Sequence, residues 1–290
     1  MNEVVPTAES AATQTAALAK LHDMLANSRH CVVLTGAGVS TESGIPDYRD
    51  RNGAWKRTPP MQYQEFIGSH AARQRYWARA LLGWQQFRHV EPNRAHHALT
   101  TLQQAGVVHT IITQNVDGLH QRAGSHTVID LHGRIDLVEC LQCKRTSPRA
   151  RLQQQLAELN PQWTSLTAEM APDGDALLEH ADFASFVIPP CEHCAGALKP
   201  AVVFFGEPVP KHLVESAYRA VRDADLLLVT GSSLMVMSGF RFVREARALN
   251  IPVAIINLGR TRADDDVTIK VEMGCGQALQ WLLATTVLRQ

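Results

Sequence analysis

Four apolar residues, Cys31-Val32-Val33-Leu34, run straight into Thr35-Gly36-Ala37-Gly38, and this junction limits the fold more than any other segment of the chain. An unbroken apolar run of this length suits a strand buried on both faces, as in parallel sheets covered by helices. Glycines directly after it allow a tight turn and a close approach of backbone to a ligand, with N–H groups able to face phosphate. The phosphate loop that ends in Gly-Lys-Ser/Thr is absent, and so is the third glycine of the usual dinucleotide fingerprint. The turn alone therefore leaves the ligand open.

Similar runs recur at residues 107–112, 226–229, 253–256 and 267–271, separated by helical patterns such as Phe240, Val243, Ala246 and Leu249. This alternation predicts an α/β fold with a Rossmann-like parallel sheet. Leu18, Leu21 and Leu25 share a helical face, which predicts a helix ahead of the first strand. Two long stretches interrupt the alternation. One, about 50–95, is rich in Trp, Tyr, Arg and Gln; the other, about 138–197, holds two cysteine pairs. They predict a smaller inserted domain, with a helical module over 56–95 and a zinc-binding module over 138–197. Residues 1–55, 96–137 and 198–290 then form the larger domain.

At 290 residues the chain can bury one large core with such an insert. Lys+Arg and Asp+Glu both number 28. That balance argues against a sequence-independent nucleic-acid binder, which needs a basic surface. No apolar stretch approaches the ~20 residues that span a bilayer. The first residues show neither a basic start with an apolar stretch nor an Arg-rich, acid-poor composition, so the expected location is cytoplasmic.

Cys140-x-x-Cys143 and Cys191-x-x-Cys194 account for four of the six cysteines and are separated by 47 residues. Two short-spaced pairs supply four thiolates to one tetrahedral Zn²⁺, a closed site that holds a module together and leaves no position for water. Disulfides suit exported chains, and a redox Cys-x-x-Cys usually occurs singly, so both alternatives weigh less. The spacer is longer than is common, which predicts helices and loops between the pairs. Cys31 reads as core, and Cys275 as a small buried hydrophobe.

Several polar residues carry two readings each. His132, in Leu131-His132-Gly133 after Val128-Ile129, is a hydrogen-bonded histidine at a strand end or a base able to accept a proton at neutral pH. Asn115 and Asp117, in Gln114-Asn115-Val116-Asp117-Gly118-Leu119-His120, face one side of an extended segment or form a turn before Gly118. Asp47 and Arg49 read as a surface ion pair. Ser232 and Ser233 read as caps of a following helix. Residues 202–207 are apolar enough for a core strand. Tyr76 and Arg79 lie three apart on one face of an amphipathic helical stretch over 73–82.

Four of these segments occur in an order that identifies a family. The run Thr35-Gly36-Ala37-Gly38 continued by Ser40, Thr41, Ser43, Pro46, Asp47, Tyr48 and Arg49 is followed by 114–120, by Leu131-His132-Gly133 and by Gly231-Ser232-Ser233. Together they resemble the sirtuins, NAD-dependent protein-lysine deacylases, from about residue 31 to the C-terminus. The long cysteine spacer, and Tyr48 where most relatives carry Phe, resemble the class II branch and its mitochondrial lipoamidase-type member.

The resemblance implies that NAD is consumed as a co-substrate and that one Zn²⁺ is structural. It implies NAD contacts at Gly36, Ala37, Gly38, Ser40, Thr41, Asp47, Tyr48, Arg49, Gln114, Asn115, Val116, Asp117, Gly231, Ser232 and Ser233. Asn257-Leu258-Gly259 is implied at the adenosine ribose and Cys275 near the adenine. His132 takes the position of the catalytic base, with Asn115 and Asp117 at the nicotinamide ribose and its carboxamide pocket. In the implied reaction the acyl oxygen attacks C1′ of the ribose, nicotinamide leaves, His132 takes a ribose hydroxyl proton, and water releases lysine and O-acyl-ADP-ribose. Val203, Phe204, Phe205 and Gly206 are implied to pair with an acyl-lysine peptide by β-augmentation. Tyr76 and Arg79 resemble a Tyr-x-x-Arg motif for acyl groups ending in carboxylate, since a guanidinium binds a carboxylate in a bidentate fashion. Mono-ADP-ribosyl transfer to protein, or a non-catalytic NAD-sensing scaffold, are the alternatives. The residues carry no indication of oligomeric state.

Overall fold

The computed structural model describes residues 8–56, 60–166, 178 and 182–287. Helix α1 (Ala8–Asn27) leads into β1 (Cys31–Thr35), two 3-10 turns (Ala37–Val39 and Thr41–Ser43), α2 (Tyr63–Gly68), α3 (His70–Phe87) and α4 (Arg94–Gln104). Then come β2 (Val108–Thr113), α5 (Leu119–Arg122), β3 (Val128–Asp130), β4 (Gly133–Cys140), β5 (Thr146–Pro148), α6 (Arg149–Leu159) and β6 (Leu198–Val202). The chain returns through α7 (Lys211–Arg222), β7 (Leu226–Thr230), α8 (Met237–Ala248), β8 (Val253–Ile256), β9 (Ile269–Val271) and α9 (Cys275–Val287).

Six strands form a parallel sheet in the order β3-β2-β1-β7-β8-β9. Strand β1 is buried on both faces, and its residues alternate between two cores as a period of two requires. Cys31 and Val33 join Leu18, Leu99 and Leu279 from α1, α4 and α9, whereas Val32 and Leu34 join Val221 and Phe242 from α7 and α8. The chain passes from β1 to β2 on one side, while β7 enters on the other. The carboxyl ends of β1 and β7 therefore form the switch point at which an open α/β sheet offers a crevice to ligands.

A second, antiparallel sheet has the order β5-β4-β6. It starts at Gly133 and ends at Val202, so its strands reach beyond 138–197 on both sides. Gly133 hands the chain from one sheet to the other with φ +79°, and a Cβ there would lie 2.1 Å from the Ala201 carbonyl oxygen. Only glycine satisfies both demands.

The structure departs from four sequence expectations. The last strand is shorter than 267–271, running from Ile269. In α8 the sheet-facing side is Gly239, Phe242, Val243 and Ala246, while Leu249 is 47% exposed. Helix α3 is not amphipathic: residues 76–78, 80–82 and Trp84 are buried, and Trp77 Nε1 donates to the Leu198 carbonyl across the small sheet. Residues 203–206 leave the sheet after Val202 instead of continuing as a core strand, held by Tyr63 N–H on the Phe205 carbonyl and by Glu207 on Phe204 N–H.

Candidate active site

Beyond the carboxyl ends of β1 and β7 lies a cleft of about 330 Å³, within the range of small-molecule sites. Most of the residues singled out in the sequence line it: Gly36, Ala37 and Gly38; Asp47, Tyr48 and Arg49; Gln114, Asn115 and His132; Val203, Phe204, Phe205 and Gly206; Gly231, Ser232 and Ser233; Asn257 and Leu258.

The glycines at its floor have a reason different from the one their spacing suggests. A Cβ on Gly36 would lie 2.8 Å from Ser232 Cβ, and one on Gly38 would lie 2.9 Å from Gly231 Cα. Gly231 itself has φ +64°, and its Cβ would lie 2.4 Å from Val39 N. The turns after β1 and β7 thus pack backbone to backbone. Gly36 N–H donates to the Thr230 carbonyl at 3.2 Å and Gly38 N–H to the Gly231 carbonyl at 2.8 Å. These two N–H groups tie the loops together instead of facing phosphate.

Asn115 and Asp117 converge on Ser40, as one-sided residues of an extended segment should. Asn115 Nδ2 donates to Ser40 Oγ and to the Gly36 carbonyl, both at 3.1 Å, and Ser40 Oγ donates to Asp117 Oδ2 at 2.7 Å. Asp117 also accepts from Leu119 N–H at 2.9 Å, so the turn reading holds as well. Burial raises the Asp117 pKa, and the bonds from Leu119 and Ser40 oppose the rise. Asp117, Ser40 and Val116 are not among the residues that line the cleft, and the Val116 carbonyl accepts from Ile135 N–H. Thr41 donates to the Gly38 carbonyl and faces a neighbouring opening beside Asp47 and Arg49.

His132 follows β3 and points into the cleft. Its Nδ1 lies 2.9 Å from the Gln114 carbonyl, which accepts only, so Nδ1 carries the proton and Nε2 the lone pair. Nε2 meets Ser238 Oγ at 2.8 Å. Burial lowers the His132 pKa; the bond to Gln114 opposes this and the Arg241 charge adds to it. The imidazole is neutral at pH 7 and poised to accept a proton on Nε2.

Asp47 and Arg49 do not pair with each other. Asp47 pairs with Lys56, while Arg49 donates to the Gly53 carbonyl at 2.7 Å and lies 4.2 Å over the Trp55 ring. Tyr48 and Trp55 both pack on Phe205, closing an aromatic wall. Ser232 and Ser233 do not cap α8, whose N-cap is Val236. Ser232 Oγ instead accepts from Gln114 Nε2 at 2.8 Å. Asn257 Nδ2 donates to the carbonyls of Leu258 and Gly259, and Gly259 packs against the Arg51 carbonyl outside the cleft. Cys275 opens α9, buried and away from the cleft lining, with its thiol pushed up to about 11 by burial.

Tyr76 and Arg79 are not cleft residues. Tyr76 is buried one layer behind the wall, 5.4 Å from the Phe204 ring and 5.3 Å from Phe66. Residues that the sequence reading did not single out also line the cleft, among them Asp50, Trp55, Glu207, Ser238, Arg241 and Arg260. The Gly206-Glu207 step beside 203–206 and the Ser238-Gly239 pair opening a helix were the only local cues. The chemistry of the lining suits a dinucleotide: Arg49, Arg241 and Arg260 carry guanidinium groups of the kind that bind pyrophosphate, and Asn115, Ser232, Ser233 and Asn257 carry polar groups of the kind that bind hydroxyls.

The four cysteines meet at one end of the small sheet, with all Sγ atoms within 4.8 Å of one another. Cys140 and Cys194 are 3.5 Å apart, Cys143 and Cys191 3.8 Å. With Zn–S of about 2.3 Å, a tetrahedron has edges of about 3.8 Å, so the donor set fits Zn²⁺. Each pair sits on its own turn, and the two turns are alike: Lys144 N–H donates to the Cys140 carbonyl and Ala195 N–H to the Cys191 carbonyl, with φ +60° at Lys144 and +58° at Ala195. A Cβ on Gly196 would lie 2.9 Å from Cys140 Sγ, so that glycine makes room for the cluster.

Comparison with known proteins agrees with this geometry. A profile of the Sir2 family matches residues 36–238. NAD-dependent protein deacetylase 2 of Bradyrhizobium diazoefficiens is 55% identical over 263 residues, 91% of this chain and 96% of that protein. The mitochondrial NAD-dependent protein lipoamidase sirtuin-4 of Bos taurus is 45% identical over 263 residues, covering 90% of this chain and 84% of that protein. Among solved structures, a Sir2 enzyme described for its mechanism and regulation superposes with a TM-score of 0.73 at 30% identity, covering 95% of this chain and 99% of its own. A Sir2 complex with p53 peptide and NAD superposes with a TM-score of 0.73 at 29% identity, covering 93% of this chain and 98% of its own. By sequence and by fold, the chain belongs to the Sir2 family, the sirtuins.

Proposed function

We propose that the chain is an NAD-dependent protein-lysine deacylase that works in the cleft at the β1/β7 switch point. The observation that carries this reading is His132, a neutral base with its tautomer fixed by Gln114 and its accepting nitrogen turned into that cleft. NAD supplies an electrophilic ribose carbon with nicotinamide as leaving group. His132 Nε2 takes the proton of a ribose hydroxyl, and the removal of this proton drives acyl transfer to the sugar. Asn115, held by Gly36 and Ser40, and the Asp117 carboxylate behind it orient the nicotinamide side. The aromatic wall of Tyr48, Trp55 and Phe205 excludes water. Zn²⁺ on the four cysteines holds the small sheet and takes no part in the chemistry.

The substrate is an acyl-lysine peptide or protein laid beside Val203–Gly206, and the two sheets act as two domains that meet around it. We read the acyl preference as favouring chains that end in carboxylate. Tyr76 backs Phe204, a cleft residue, and Arg79 lies on the same face of α3. In support of a deacylase over protein ADP-ribosylation, the bacterial relatives are named as deacetylases. His132→Ala should retain NAD binding and lose about 10²–10⁴-fold in turnover of an acyl-lysine peptide. Wild-type turnover in that variant, or ADP-ribose appearing on protein in place of free lysine, overturns the reading. Arg79→Met should lower the succinyl-to-acetyl selectivity by about tenfold. Unchanged selectivity assigns Arg79 to packing alone.

A further inference from the structure

A serine hydroxyl, Ser238 Oγ, occupies the one atom of His132 that the reaction needs. A neutral imidazole has one lone pair, and here it accepts from Ser238 Oγ at 2.8 Å while Nδ1–H is tied to Gln114. The two contacts clamp the ring from opposite ends. Ser238 belongs to the first turn of α8, and the next residue explains how that turn comes close enough. A Cβ on Gly239 would lie 2.6 Å from Gln114 Oε1. The Gln114 side chain has no freedom to retreat cheaply, because its Nε2 donates to Ser232 Oγ and the Thr35 carbonyl. Gly239 therefore lets α8 press on Gln114, and Ser238 is thereby brought onto His132.

We propose that Ser238 is a positioning residue for the base: its hydroxyl holds His132 in the tautomer that accepts on Nε2, keeps water from that nitrogen, and yields its place to the ribose hydroxyl when substrate enters. This inference rests on His132 being the base. The proton balance is simple. The ribose hydroxyl replaces the Ser238 hydroxyl as donor, its proton passes to Nε2, and the resulting imidazolium can donate back to Ser238 Oγ.

The surroundings favour the neutral ring. Arg241, one turn further along α8, is the charged group that acts on His132 and disfavours the imidazolium. Gln114 and Asn115 after β2, and Val203 after β6, bring no charge, and the carboxylates sharing the cleft are Asp47, Asp50 and Glu207. The Ser238 hydroxyl opposes Arg241: it donates to the neutral ring but accepts from the imidazolium, and the charge-assisted bond is the stronger of the two.

The test is Ser238→Ala, with Ser238→Thr as the conservative control. Alanine is a better helix former than serine, so α8 is not at risk. Losing the hydroxyl should move the acid limb of the kcat/KM profile down by roughly half a unit to one unit, because the imidazolium loses the stronger bond. Threonine should restore the wild-type midpoint. Gly239→Ala should shift the limb in the same direction with Ser238 intact. The same shift should appear in the imidazole ¹⁵N titration of His132 in protein without substrate, with the resonance assigned by its loss in His132→Asn. That readout decides the matter even in a variant that turns over nothing, and so separates failure of this inference from failure of the deacylase reading. A midpoint unchanged or raised in Ser238→Ala, or no recovery with threonine, overturns the proposal.

Discussion

Lys199→Met keeps the length and bulk of the lysine stem but removes a charge from the interior, at the point where the small sheet turns into the cleft wall. The Lys199 side chain is 5% exposed and that of Glu207 16%. Lys199 Nζ donates to Glu207 Oε2 at 3.1 Å and to the Val202 carbonyl, and it lies 5.2 Å from the Phe204 ring. Glu207 Oε2 also accepts from Phe204 N–H at 2.9 Å. Burial lowers the Lys199 pKa and Glu207 opposes the shift, so the two charges depend on each other. Breaking a buried pair by removing one partner costs about 3–5 kcal/mol. The lower end applies here, about 3 kcal/mol, because Glu207 is partly solvated and keeps the Phe204 N–H. Removing both charges in Lys199→Met/Glu207→Gln should cost less than the sum of the single changes. Urea unfolding of the four proteins of the cycle measures both quantities, and the KM for an acyl-lysine peptide should rise in Lys199→Met as Val203–Gly206 loses its anchor. A Lys199→Met protein within 1 kcal/mol of wild type, with an unchanged KM, would refute the argument that this pair holds the wall.

Two further outcomes follow from the zinc cluster and from the buried histidines. Purified protein should contain one Zn²⁺ per chain by elemental analysis, and Cys194→Ala should lose it together with the thermal transition of the small sheet; a zinc-free protein with the wild-type Tm contradicts this. Burial pushes His96 down to about 2, with the charges of His120 and His97 adding to it, and pushes His120 down to about 4. Both are neutral in the fold and have an ordinary pKa of 6.5 when unfolded. Their contribution is thus complete above about pH 6.5 and is lost as the pH falls from there toward 4, because the unfolded chain binds more protons. Urea midpoints measured between pH 7.5 and 4.5 should begin to fall near the upper value, above the carboxylate range; a flat curve down to pH 5 contradicts the assignment.

The parts of the molecule legible in the sequence are those set by local spacing. Cys31–Leu34 reads as a buried strand because both of its faces are apolar, and it is one. Each Cys-x-x-Cys reads as half of a metal site because the two sulfurs share one turn. His132 stands out because a polar residue closes an apolar strand. The rest depends on contacts between distant segments. The glycines after β1 are required by the loop after β7, which the sequence places almost two hundred residues later. Ser238 meets His132 across 106 residues. Helical spacing puts Tyr76 and Arg79 on one face but does not say that α3 is enclosed by α2, α6 and the small sheet, which places Tyr76 behind Phe204. In α8 the central positions Val243 and Ala246 face the sheet as expected, but a strict spacing of three drifts off a 3.6-residue turn, so Phe242 joins them and Leu249 is exposed. The 203–206 segment looks like a strand by composition, yet the Lys199–Glu207 pair pulls it out of the ladder.

If His132 and the cleft around it couple NAD cleavage to removal of an acyl group from lysine, the products must stay in fixed proportion. Their balance with an acetyl-lysine peptide and NAD, read by mass spectrometry, should show one nicotinamide and one O-acetyl-ADP-ribose for each lysine freed, with all three lost together in His132→Ala. Lysine freed together with acetate and without nicotinamide, or nicotinamide released at an undiminished rate with the peptide still acetylated, would contradict it.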